Sequence, residues 1–167
     1  MRSSINPIRA LALSAALLAA IASPSFAAGS HAGGHGEEMM AAGKPGEMKN
    51  VRKTIVVSMM ENADGAMVFD PSEIKVKQGQ TVRFVIKNTG EFDHEFVLDN
   101  HANVMEHKAL MEKFPEMEHD DPNAIRLAPG ETGEIIWTFA NEGDFEFACL
   151  IPGHYDLGMH GPLSVAH

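Results

Sequence analysis

Beyond residue 52 the chain is a succession of short apolar and polar alternations, each closed by turn-forming residues. In Thr81–Asn88, Val82, Phe84 and Ile86 alternate with Arg83, Val85 and Lys87, the period of two expected of a strand with one face turned inward. Ile135, Trp137 and Phe139 repeat that pattern within residues 132–140. Further strands are expected over residues 53–60, 73–77, from His94 to Leu98, over Ala124–Leu127, and over 145–149 and 161–166. Between them lie the turn sequences Gln78-Gly-Gln80, Ala128-Pro-Gly-Glu131 and Asn141-Glu-Gly-Asp144. Seven or eight short strands punctuated in this way predict an all-β Greek-key sandwich or barrel. Trp137, Phe139, Phe145 and Phe147 are expected in its core.

Three segments break the pattern. Residues 102–119 mix Glu, Lys, Met, Ala and Leu without alternation, which predicts a helical or irregular insertion covering the barrel. Residues 28–50 are rich in Gly, Ala, His and Met and show no apolar period, so they are read as a flexible tail ahead of a domain spanning 51–167. Residues 1–27 carry Arg2 and Arg9, an apolar run from Ala10 to Ile21, and Ser25-Phe-Ala27. That is the layout of a secretory signal peptide cut after Ala27, and the run is shorter than the ~20 apolar residues that span a bilayer. The expected location is the periplasm, with no membrane span after cleavage.

Charge narrows the partners. The chain carries a formal −10 at pH 7, and loss of two arginines with the leader makes it −12. Such a surface repels a phosphate backbone and argues against nucleic acid; it suits cations or a basic protein partner. The sequence contains one cysteine, Cys149, so no disulfide within the chain can stabilise the exported domain, and an unpaired thiol in an oxidising compartment needs a reason to persist.

The neighbours of Cys149 supply the reason. In Cys149-Leu-Ile-Pro-Gly-His154-Tyr-Asp-Leu-Gly-Met159-His160-Gly161, a thiol, an imidazole and a thioether follow one another at intervals of five on a loop that Pro152, Gly153, Gly158 and Gly161 allow to fold back on itself. Two soft sulfurs with an imidazole select Cu(I)/Cu(II) over hard cations. A trigonal His₂Cys set with a long axial Met is the ligand set of electron-transfer copper. The second imidazole is assigned to His94, which opens a strand in Gly90-Glu-Phe-Asp-His94-Glu-Phe96 just after a strand expected in the same sheet. His160, directly after Met159, offers a further donor at that end of the loop.

These residues resemble a known family. The Asn88-Thr-Gly segment leading to His94, the Pro-Gly turn before Ile135-Ile-Trp137, and the Cys149-x₄-His154-x₄-Met159 loop are similar to those of cupredoxins, from about Arg52 to the C-terminus. The loop sequence and the His/Met-rich segment before the domain most resemble the small periplasmic copper-tolerance cupredoxins. Plastocyanins, with a shorter Cys-to-His gap, and azurins, with a shorter His-to-Met gap, match less well. The resemblance implies one type 1 copper ion held by His94, Cys149 and His154 equatorially and Met159 axially, with His154 as the electron exit.

Function then divides in two. The protein either binds and passes on copper in copper tolerance, or carries single electrons to a respiratory or reductase partner. His31, His35, Met39, Met40 and Met48 are soft donors that an electron shuttle has no evident use for, which favours tolerance. Met105, His107, Met111, Met117 and His119 raise the same question in the insertion, where a packing role is the stronger reading. An enzyme of the multicopper oxidase or nitrite reductase kind would need clustered His-x-His ligands, and the sequence has no such pair.

Overall fold

A computed structural model describes residues 39–115 and 120–167 of the chain. Among them run ten strands and one α-helix: β1 (Gly43–Pro45), β2 (Val51–Glu61), β3 (Met67–Asp70), β4 (Ile74–Lys77), β5 (Thr81–Asn88), β6 (His94–Asp99), α1 (His101–Lys113), β7 (Ala124–Leu127), β8 (Thr132–Phe139), β9 (Gly143–Ala148) and β10 (His160–Ala166). They form two five-stranded sheets, ordered β1-β8-β5-β2-β3 and β4-β10-β9-β6-β7. The expected all-β sandwich is what these residues build.

The alternation read from the sequence sets which faces meet. On β5, Val82, Phe84 and Ile86 are fully buried, and they pair across the ladder with β8, where Val82 faces Trp137 and Phe84 faces Ile135. From the other sheet, Phe96 on β6 and Phe147 on β9 stack 5.8 Å apart, and Phe69 meets both edge-on at 6.0 and 5.1 Å. Offset and edge-to-face rings add to the burial of their apolar area, which dominates the cohesion of such a core. Phe145, expected inside, is only partly buried and packs on the rim of this cluster.

Ordered structure begins earlier than the alternation indicates. Within the segment read as a tail, Ala42 is buried and β1 pairs with β8, Gly43 opposite Phe139. The tail residues before Met39, His31 and His35 among them, and the expected signal peptide lie outside the described residues, as do Met117 and His119.

The insertion is a helix over its first part. Asn100 caps α1, its side chain accepting the N–H of Asn103 at 2.9 Å, which satisfies one of the unpaired donors of the first turn. Val104 and Met111 are buried against Val97, Ala148 and Leu150, with Met105 alongside. Met105 and Met111 therefore belong to a packed cover over β6 and β9.

One expectation about sheet membership is corrected. His94 does not share a sheet with the preceding β5; β5 lies in the first sheet and β6 in the second. Residues 89–93 cross between the sheets, and this crossing delivers His94 to the strand that neighbours β9.

Candidate metal centre

β6 and β9 are antiparallel neighbours, Val97 opposite Ala148, so the start of β6 lies beside the end of β9. His94 opens the first and Cys149 follows the second. The backbone of the intervening loop closes on itself. Cys149 N–H donates to the Met159 carbonyl at 3.0 Å, Met159 N–H to the His154 carbonyl at 3.1 Å, and His154 N–H to the Ile151 carbonyl at 3.0 Å. Gly153 and Gly158 turn the chain at φ of 89° and 95°, the left-handed region where a Cβ is penalised.

Folding the loop in this way brings three sequence-expected residues together. One donor atom from each of His94, Cys149 and His154 falls within 4.8 Å of the others. The Cys149 sulfur is 3.3 Å from Nδ1 of His154, and the two imidazole centroids are 5.2 Å apart. His94 and Cys149 are wholly buried and His154 partly so. Met159 is also wholly buried at the far end of the loop, tied to Cys149 and His154 through its backbone.

His160 is not part of this group. Its ring stacks on Tyr155 with centroids 4.3 Å apart, and the Tyr155 hydroxyl donates to Glu146 at 3.3 Å. Glu146 also contacts Nδ1 of His101 on α1 at 3.0 Å, and Lys108 of α1 reaches Asp156 at 3.1 Å. These polar contacts fasten the outside of the loop to the helix, while the donors face inward.

Two features of the centre fit a soft cation. His94 offers Nε2 to Glu61 at 2.8 Å, while its Nδ1 is buried without a hydrogen-bond partner. An orphaned buried nitrogen of this kind costs stability unless something occupies it. Cys149 is the second feature. Burial pushes its thiol up to about 12, although the N–H groups of Glu95 and Ile151 aimed at the sulfur favour the thiolate. Burial likewise lowers the His154 pKa, and His94 beside it lowers it further, so His154 presents a neutral ring nitrogen. A cation with high affinity for sulfur can displace the thiol proton that water cannot.

Sequence reasoning did not single out Glu61. It is the last residue of β2, 33 positions before His94, in a stretch without motif character. Only the pairing of β2 with β5 and the return of residues 89–93 bring its carboxylate behind the imidazole. Its other oxygen accepts the Glu91 N–H at 2.8 Å.

Comparison with known proteins agrees with this geometry. The family model of copper-binding proteins of the plastocyanin/azurin family matches residues 55–166. A copper-resistant cuproprotein CopI of Rubrivivax gelatinosus is 45% identical over 136 residues, covering 81% of this chain and 80% of that protein. A copper-resistant cuproprotein CopI of Pseudomonas aeruginosa is 36% identical over 160 residues, covering 78% and 84%. Among solved structures, a dithionite-reduced auracyanin from Roseiflexus castenholzii superposes with a TM-score of 0.58 at 27% identity, over 70% of this chain and 99% of that one. Sheet order, buried donor cluster and sequence match converge: this chain belongs to the plastocyanin/azurin family of copper-binding proteins.

Proposed function

We propose that the protein binds one copper ion through His94, Cys149 and His154, with Met159 as a weaker axial ligand, and serves copper tolerance outside the cytoplasm. The observation that carries this reading is the partnerless buried Nδ1 of His94, held beside the only cysteine of the chain and a second imidazole. The CopI proteins it resembles are described as copper-resistant cuproproteins, and the leader expected in residues 1–27 supports a periplasmic location.

Each residue has a defined part. Glu95 and Ile151 direct N–H groups at the Cys149 sulfur and stabilise it as an anion. The backbone closure from Cys149 to Met159 holds the loop through the protein's own hydrogen bonds. His154, less buried than His94, stands on the solvent side of the cluster and is the route by which an electron or an incoming ion reaches the centre. Copper, when bound, supplies a one-electron couple whose potential the axial ligand and the hydrogen bonds to sulfur adjust. The domain acts by binding and redox change.

The visible spectrum of the Cu(II)-loaded protein tests the ligand set. Intense thiolate-to-copper absorption is expected and should vanish in Cys149→Ala; absence of the band in the parent, or its persistence in the variant, rejects the assignment. The physiological role is tested separately by deleting residues 28–38 and measuring copper sensitivity of the host. The deletion stops short of Met39 because Ala42 and β1 are part of the fold. Unchanged sensitivity removes the support that His31 and His35 lend to tolerance and favours an electron carrier.

A further inference from the structure

The centre is backed on its buried side by a carboxylate. Glu61 Oε1 lies 2.8 Å from Nε2 of His94, and Glu61 Oε2 accepts the Glu91 N–H at 2.8 Å. The two oxygens are thus both engaged, one by the loop that carries His94 and one by the ring itself. The Glu61 side chain is 16% exposed and that of His94 is 0% exposed, so little water screens the contact.

The backbone leaves room for this arrangement at one position. A Cβ on Gly90 would fall 2.5 Å from Oε2 of Glu61 and 2.9 Å from Oε1. Glycine there lets residues 89–93 close down over the carboxylate. Two N–H groups thus converge on the Glu61 carboxylate, one at each oxygen.

We propose that Glu61 is the positioning residue for His94. It fixes the tautomer and ring plane that turn Nδ1 inward, and its negative charge favours the more highly charged oxidation state of the bound ion. The inference rests on the reading that His94 ligates copper through Nδ1. A carboxylate accepting from Nε2–H leaves Nδ1 as the lone-pair nitrogen, and it makes that nitrogen a stronger donor. Such an anion stabilises Cu(II) over Cu(I) by simple electrostatics, most effectively where burial limits screening.

The experiment is a redox titration of the copper-loaded full chain carrying Glu61→Gln, Glu61→Ala or Gly90→Ala, with visible and electron paramagnetic resonance spectra taken alongside. Glu61→Gln keeps an acceptor for the ring N–H and removes the charge. It is expected to retain the thiolate-to-copper band while the equilibrium shifts about tenfold toward Cu(I), ~59 mV for a one-electron couple. Glu61→Ala should show that shift together with an altered copper resonance, because the ring is no longer held. Gly90→Ala, which displaces the carboxylate without deleting it, should move the equilibrium in the same direction by less. A parental midpoint and parental spectra in both Glu61 variants would overturn the proposal. Should those two fail to fold, a parental midpoint in Gly90→Ala overturns it equally. Failure of the ligand assignment is a different result, since it removes the absorption band from the parent protein itself.

Discussion

The backbone N–H of Glu95 points at the sulfur of Cys149 across 3.3 Å, joining residues 54 apart in the chain. It is a bond between the first residues of β6 and the exit from β9, supplied by the protein's own backbone. Together with the Cys149-to-Met159 closure it means that the donors are placed by the fold.

Removing copper should therefore leave the fold intact. The metal-free protein is expected to unfold cooperatively with its aromatic near-ultraviolet dichroism preserved. Copper should raise the midpoint by mass action, about 2.7 kcal/mol when free metal is 100-fold above Kd. Thermal unfolding with and without a chelator measures this, and a metal-free form lacking fixed aromatic signals would contradict it.

Met159 can be tested without disturbing the barrel. Leu has nearly the same volume, and such swaps in a buried site cost less than ~1.5 kcal/mol. Met159→Leu is expected to fold, to keep the thiolate-to-copper band, and to shift the redox equilibrium toward Cu(I) because Cu(II) loses its fourth donor. Unchanged spectrum and midpoint would assign Met159 to packing alone.

Asn88 holds the loop that carries His94. Its buried side-chain N–H₂ donates to the Phe92 carbonyl at 2.7 Å and the Leu127 carbonyl at 2.9 Å, and its oxygen accepts the Gly90 N–H at 3.0 Å. Asn88→Ala would leave those groups unsatisfied, at about 1–3 kcal/mol for a buried group. Denaturant unfolding should show that loss. The variant should also bind copper more weakly than a surface control such as Lys75→Ala, and equal affinity would place Asn88 outside the positioning of the site.

A pH effect is expected away from the metal. Burial of Asp99 pushes its carboxyl above the ordinary value, despite the hydrogen bonds from the Asn100 N–H and Asn103 side chain and the nearby His107. Glu146 is its cross-strand neighbour. A folded-state pKa above the unfolded one means the ionised group lowers stability at neutral pH, and the protein recovers this as pH falls through the folded value. Asp99→Asn keeps the acceptor oxygen and drops the charge. It should be more stable than the parent at pH 7, with the difference closing under acid; urea midpoints across pH decide, and a difference independent of pH refutes the account.

Legibility in the sequence followed the range of the interactions. β5 and β7 lie where their alternation and turns put them, because both signals are local. β1 was hidden in Gly43-Lys-Pro45, whose strand character comes from pairing with β8 some 90 residues later, and β3 was hidden among turn residues between Asn62 and Pro71. The sheet containing His94 was misassigned for the same reason: whether residues 89–93 turn back or cross over is settled by packing. The ligand loop was readable since its three donors lie within eleven residues. Glu61 was not, since a glutamate at a strand end acquires meaning only from what the fold brings against it.

The closure between Cys149 and Met159 also separates two kinds of change. Residues 150–158 are closed at their base by the Cys149–Met159 backbone bond and held outside by Leu150, Tyr155 and Asp156, whereas the ladder from His160 to Val165 pairs with β9 independently of them. A change within residues 150–158 thus acts on the spacing of the donors and on the grip of the helix, while the strand register beneath is set by pairs that lie outside the segment.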